Sequence, residues 1–163
     1  MKNIRKNILS VVASALLATG YLLGVSSSPR FVPEGRIGYT KEKQIESSGY
    51  YWCSAVILDC EDEAIYFHSK PNEEIETVQE IIKSANYHKM DLSKSFVVIN
   101  AGMESSLEKL SAGFKDRGIE VRLEDMTFCQ EKNNRSSRKV SYSPKENLLR
   151  ISRGPQTETI ELH

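Results

Sequence analysis

The sequence predicts an α/β domain, a small mixed sheet with a βαβαβ core and a C-terminal β-hairpin, preceded by an N-terminal transmembrane or signal helix. Three observations carry this reading. A basic head precedes a long uncharged run, strand-like and helix-like apolar patterns alternate through the middle of the chain, and two short strand patterns flank a proline turn near its end. The composition fits one folded unit: 163 residues, 39% hydrophobic and 27% charged, which excludes disorder throughout, a collagen and a multi-span transporter. The 22 Lys plus Arg balance the 22 Asp plus Glu, so no nucleic-acid partner is expected.

The head is the first element. Lys2, Arg5 and Lys6 stand at the start, and no acidic residue precedes Glu34. Residues 8–25 (ILSVVASALLATGYLLGV) are uncharged for 18 positions. As a helix they would span roughly 27 Å, close to the hydrocarbon core of a bilayer. A secretory signal peptide has the same basic start but a shorter apolar stretch, so length favours an uncleaved signal-anchor, single-pass in the lipid bilayer, with cleavage after Val25 as the alternative. The three cations ahead of the run place the N-terminus in the cytoplasm and the C-terminal domain outside the membrane. Gly20 and Gly24 form a G-x-x-x-G pair that would admit a second copy, a homodimer contact; such pairs also occur in segments that do not dimerise. Residues 26–48 hold Ser26, Ser27, Ser28, Pro29, Pro33, Gly35 and Gly38 without a sustained period and read as a flexible spacer, leaving 49–163 as the domain.

Within that domain, Tyr50 to Asp59 and Ala64 to His68 read as strands joined by an acidic turn. Pro71 ends the second. Asn72 is placed to cap a helix carrying Glu73, Glu74 and Glu76 at its positive end and Ile75, Val78, Ile82 and Ala85 as a stripe to about Lys89. Phe96 to Ile99 is a continuous apolar run, the pattern of a strand covered on both faces. Leu107, Leu110 and Phe114 then recur at helical spacing, with Ser105 and Glu108 in capping-box positions and Gly118 placed to close the helix. Ile119, Val121 and Leu123 alternate with charge, as in a strand with one wet face. Strand, helix, strand, helix, strand implies parallel pairing. Residues 140–143 and 148–152 form the hairpin, and 157–162 a last strand.

Ligands in open α/β sheets collect where strands hand over to helices, so Asn100, Gly102 and Ser105, in the turn NAGMESS, are the candidate ligand-binding residues. The same small polar residues would serve the turn's own capping. Basic charge gathers in KNNRSSRK, and Lys132, Arg135, Arg138 and Lys139 are the candidate contacts for an acidic protein partner or an anionic surface. The acidic turn Asp59 to Glu63 reads as a solvated hairpin tip. Asp91 with Ser93 and Ser95 matches a metal-binding spacing but precedes its strand, so Asp91 is a turn residue. Ser106 and Lys109 stand at S-x-x-K spacing, yet the lysine falls on a helix surface. Cys53, Cys60 and Cys129 are too dispersed for a zinc motif, and a Cys pairing with His68 has no third group to orient it. No metal, no cofactor and no catalytic constellation are expected. The function read from the sequence is therefore a membrane-anchored binding or accessory module displayed outside the membrane. The alternatives are a small extracytoplasmic enzyme using the 100–106 turn with Asp59 or His68, and a cleaved, secreted interaction protein.

Overall fold

The computed structural model describes residues 30–126 and 137–162. The segment 8–25, with Gly20 and Gly24, lies outside these residues, as do Lys132, Arg135 and Cys129. No helix among the described residues is long and apolar enough to cross a membrane.

The fold is mixed α/β with two sheets and two helices. Strands β1 (Arg30–Phe31), β2 (Ile37–Lys41) and β3 (Ile45–Tyr50) come first, followed by β4 (Ser54–Cys60), β5 (Glu63–Ser69) and helix α1 (Glu74–His88). Then come β6 (Phe96–Asn100), helix α2 (Glu104–Lys115), β7 (Glu120–Asp125), β8 (Arg138–Ser143), β9 (Leu148–Arg153) and β10 (Gln156–Glu161). One sheet has the order β2-β5-β4-β6-β7 and carries both helices on one face; the other has the order β1-β3-β8-β9-β10 and packs on the opposite face. The first sheet is thus the middle layer of three. Its position explains the unbroken apolar runs: along β4, Val56 and Leu58 meet Val78, Ile81, Leu110 and Phe114 of the helices, while Ala55 and Ile57 meet Val140, Tyr142 and Ile151 of the outer sheet.

The expected βαβαβ order is present, but its pairing differs. β6 and β7 are parallel neighbours, whereas β4 lies between β5 and β6 and runs antiparallel to both. β5, β6 and β7 therefore share a direction with β4 inserted, because the tight Glu61-Asp62 turn lets β4 pair its successor directly before α1 crosses over it. The expected C-terminal hairpin is β8 and β9, joined through Pro144 to Asn147, and β10 extends it.

The larger correction concerns residues 30–48, read as spacer. They form β1, β2 and most of β3, so the folded unit includes Arg30. The reason they carry no sustained strand signature is that Gly38, Thr40 and Ser47, small or polar, interrupt the inward series that Val32 and Ile45 belong to, while Ile37 faces out. The single strand expected over 50–59 is also two. Tyr50 ends β3 in the outer sheet and Ser54 begins β4 in the middle one, and Tyr51 to Cys53 make the crossing. Both helix starts differ as well. Neither Asn72 nor Ser105 is an N-cap; Glu73 and Met103 occupy those positions without side-chain caps, and Asn72 takes a left-handed backbone. Gly118 does close α2 as expected, with φ of +70° and the Ile119 N–H donating to the Phe114 carbonyl.

Candidate functional site

Strand direction sorts the domain into two ends. At one end lie Arg30, the Glu42–Lys43 turn, the Glu61-Asp62 turn and Pro144 to Asn147, joined by hydrogen bonds such as Glu42 N–H to the Asp62 carbonyl (2.7 Å). At the other end lie Tyr51 to Cys53, His68, the Asn100 turn, Asp125 and Arg138, the carboxyl ends of β5, β6 and β7 among them. About six residues of strand, roughly 20 Å, separate the two. Arg30 lies at the first end, and Asp125 and Arg138 lie at the second.

Arg138 organises the second end. Its side chain is wholly buried, which removes it from the surface contacts assigned to the basic loop. One guanidinium nitrogen donates to the Asn100 side-chain oxygen and to the Ala101 carbonyl (3.3 Å), and the other donates to the Cys53 carbonyl (2.8 Å). The Asn100 amide donates in turn to Asp125. A buried cation without such acceptors would be costly, so these bonds fix the backbone of two loops at once. Lys139, the next residue, is half-exposed and ion-paired with Glu46 at 2.9 Å.

The ligand turn predicted at Asn100, Gly102 and Ser105 is therefore already occupied by the protein. Both ends of the Asn100 amide are used internally, and Ser105 is exposed. A Cβ on Gly102 would fall 2.4 Å from the carbonyl carbon and oxygen of Trp52, so the close approach that this glycine permits is made by the 51–53 loop. Asp59 does not join the turn. It pairs with Phe96 in register while Asn100 pairs with Ala55, four residues or about 13 Å along β4. The acid is buried beside the Tyr142 hydroxyl, which donates to it at 2.9 Å, and burial pushes its pKa up to about 7.

His68 lies at the second end on the inner face of β5, fully buried between the two sheets. Its ring stacks on Tyr50 with centroids 3.8 Å apart, and Nδ1 is 2.8 Å from the Ser47 hydroxyl. Nε2 is buried without a hydrogen-bond partner. Burial, reinforced by the charges of Arg138 and Lys70, pushes its pKa down to about 4, so the ring is neutral at pH 7. Cys53 and Glu34 complete the group: one ligand atom from each of Glu34, Cys53 and His68 lies within 4.8 Å of the other two. Burial, and then the Glu34 carboxylate, pushes the Cys53 thiol up. The sequence hides this trio because its members are separated by 19 and 15 positions and one sits in the supposed spacer. One signal was available: His68 shares a face of β5 with Ala64 and Tyr66, an apolar face on which histidine is out of place.

The remaining singled-out residues are structural. Asp91 accepts from the Ser93 N–H at 3.0 Å and caps a short 3₁₀ turn, as expected of a turn residue. Ser106 donates to Glu74 at 2.6 Å, and Lys109 is exposed and 3.7 Å from the same carboxylate. Cys60 ends β4, far from Cys53, and both thiols are free. The chain matches no protein-family model and shows no significant similarity to any curated protein.

Proposed function

We propose that this protein is a binding or accessory module, carried outside the membrane by residues 8–25 and presenting the Tyr51–Trp52 end of its domain to an acidic partner. The observation that supports this reading most directly is the 51–53 loop. Trp52 is 61% exposed and Tyr51 54%, yet the backbone beneath them is clamped by Arg138 and packed against Gly102. A large exposed aromatic pair on a fixed backbone has only its few side-chain torsions left to order on binding, the property of a contact anchor. The end at which Arg30 enters is the opposite one, so a chain tethered through its N-terminus offers Trp52 on the side away from the tether. Lys132 and Arg135, which stand in sequence between Asp125 and Arg138, supply the positive charge for an acidic partner or anionic surface.

The test is site-specific photo-crosslinking of the full-length chain in its host, with an aromatic probe at Tyr51 or, as a control, at Asp62 in the opposite turn. Adducts formed from position 51 that weaken in high salt, with none from position 62, are the expected result. Equal labelling from both positions would refute the assignment of a working end.

A further inference from the structure

We propose that Cys53, His68 and Glu34 bind one zinc ion, or a divalent late transition ion of the same class, with a fourth coordination position open to solvent. Zinc takes thiolate sulfur at about 2.3 Å and imidazole nitrogen or carboxylate oxygen at about 2.0 to 2.2 Å, which at tetrahedral angles sets neighbouring ligand atoms about 3.3 to 3.6 Å apart. The three atoms here already lie within 4.8 Å of one another. The remaining closure falls to Glu34, whose exposed side chain leaves the irregular turn between β1 and β2. A set of one thiolate, one imidazole and one carboxylate excludes calcium and magnesium, which take oxygen throughout, and suits zinc.

A second observation points to a ligand independently of the cluster. His68 Nε2 is fully buried with no hydrogen-bond partner, an arrangement that leaves a polar atom uncompensated unless something binds it. The surroundings orient the ring as a metal-binding histidine requires. In the tautomer protonated at Nδ1, the 2.8 Å contact has Ser47 Oγ accepting from Nδ1–H and leaves the Nε2 lone pair for the ion, and Tyr50 stacks on the ring plane. The ligand segments are also tied to each other: the Gly35 N–H donates to the His68 carbonyl at 2.8 Å, the His68 N–H to the Arg36 carbonyl at 3.2 Å, and Arg138 holds the Cys53 carbonyl. Thiolate and carboxylate together offset the two charges of the ion. Ser47 is a positioning residue in this account, and the site does not depend on the display of Trp52.

The experiment is titration of the full-length chain, purified in mild detergent and stripped with chelator, using cobalt(II) as a spectroscopic stand-in and zinc as its competitor. One equivalent of cobalt should bind with a thiolate-to-metal charge-transfer band and the strong visible bands of a tetrahedral site, and zinc should displace it one for one. Cys53→Ser should abolish the charge-transfer band, while Cys60→Ser and Cys129→Ser retain it. Ligand loss in His68→Gln should weaken binding more than about 100-fold, and Ser47→Ala about 10-fold. Should His68→Gln fail to fold, Glu34→Gln decides, because its side chain is exposed; a loss of about 10-fold or more is expected there. Absence of the charge-transfer band in the wild type, its survival in Cys53→Ser, or unchanged affinity in Glu34→Gln would overturn the proposal.

Discussion

Replacing Asp59 by asparagine should change the pH dependence of stability in a defined direction. The carboxyl is buried in β4, one oxygen accepts from Tyr142 and the other has no partner, so ionisation inside the fold is opposed chiefly by desolvation. Its pKa rises from 3.8 to about 7. Below pH 3.8 both folded and unfolded chains hold the proton and the group is neutral in its effect. Between there and about pH 7 the unfolded chain has released it and the folded one has not, so stability falls as pH rises and then levels off. At about 1.4 kcal/mol per pKa unit the full loss comes to about 4 to 5 kcal/mol, most of it between pH 4 and pH 8. Asparagine preserves the shape and the acceptor for Tyr142 but brings an amide without a partner, a pH-independent cost of about 1 to 3 kcal/mol. Urea unfolding of both proteins from pH 4 to pH 8 isolates the group in the difference between them. The variant should be the less stable at pH 4, and the difference should move in its favour by about 3 to 4 kcal/mol by pH 8. A difference that stays flat, or that moves the other way, would refute the reading of Asp59 as a buried neutral acid.

Arg138→Met should lower stability by about 3 kcal/mol or more, since it strands the acceptors at Asn100, Ala101 and Cys53; denaturant unfolding measures this. Gly102→Ala should cost at least about 1 to 3 kcal/mol and shift the Trp52 fluorescence, because the new Cβ meets backbone atoms that have no side-chain freedom to retreat. Trp52→Ala, by contrast, should change stability by less than about 0.5 kcal/mol while abolishing the position-dependent partner contact, detected by crosslinking from Tyr51. Deletion of residues 30–41 should prevent folding, seen as loss of a cooperative unfolding transition, because it removes β1 and β2 and exposes the edge of β5.

The centre of the middle layer was legible because β4, β5 and β6 are buried on both faces: FVVI and AIYF are apolar without interruption, and α1 and α2 show their stripes plainly. The outer sheet was only half legible. β8 and β9 declare themselves through Val140, Tyr142, Leu149 and Ile151, but β3 interrupts its inward Ile45 and Tyr50 with Ser47 and a bulge, and at the edge of the middle sheet β2 turns Gly38 and Thr40 inward, so neither strand shows a sustained apolar alternation. The antiparallel insertion of β4 between β5 and β6 leaves no mark on any single strand, since pairing partners are a property of the sheet. The site was misjudged for related reasons. Arg138 belongs by sequence to a run of cations, and only its position opposite Tyr50 in the β3–β8 register takes it into the core. Cys53, His68 and Glu34 come from the 51–53 crossing, the end of β5 and the turn after β1, which sequence spacing cannot bring together.

The central claim is that the folded domain stands outside the membrane. A reporter fused after His163, active only on the far side of the membrane and paired with one active only in the cytoplasm, tests it most directly. The account predicts activity of the first and silence of the second, whether residues 8–25 are retained or cleaved. The opposite pattern, a cytoplasmic reporter active and its counterpart silent, would contradict it.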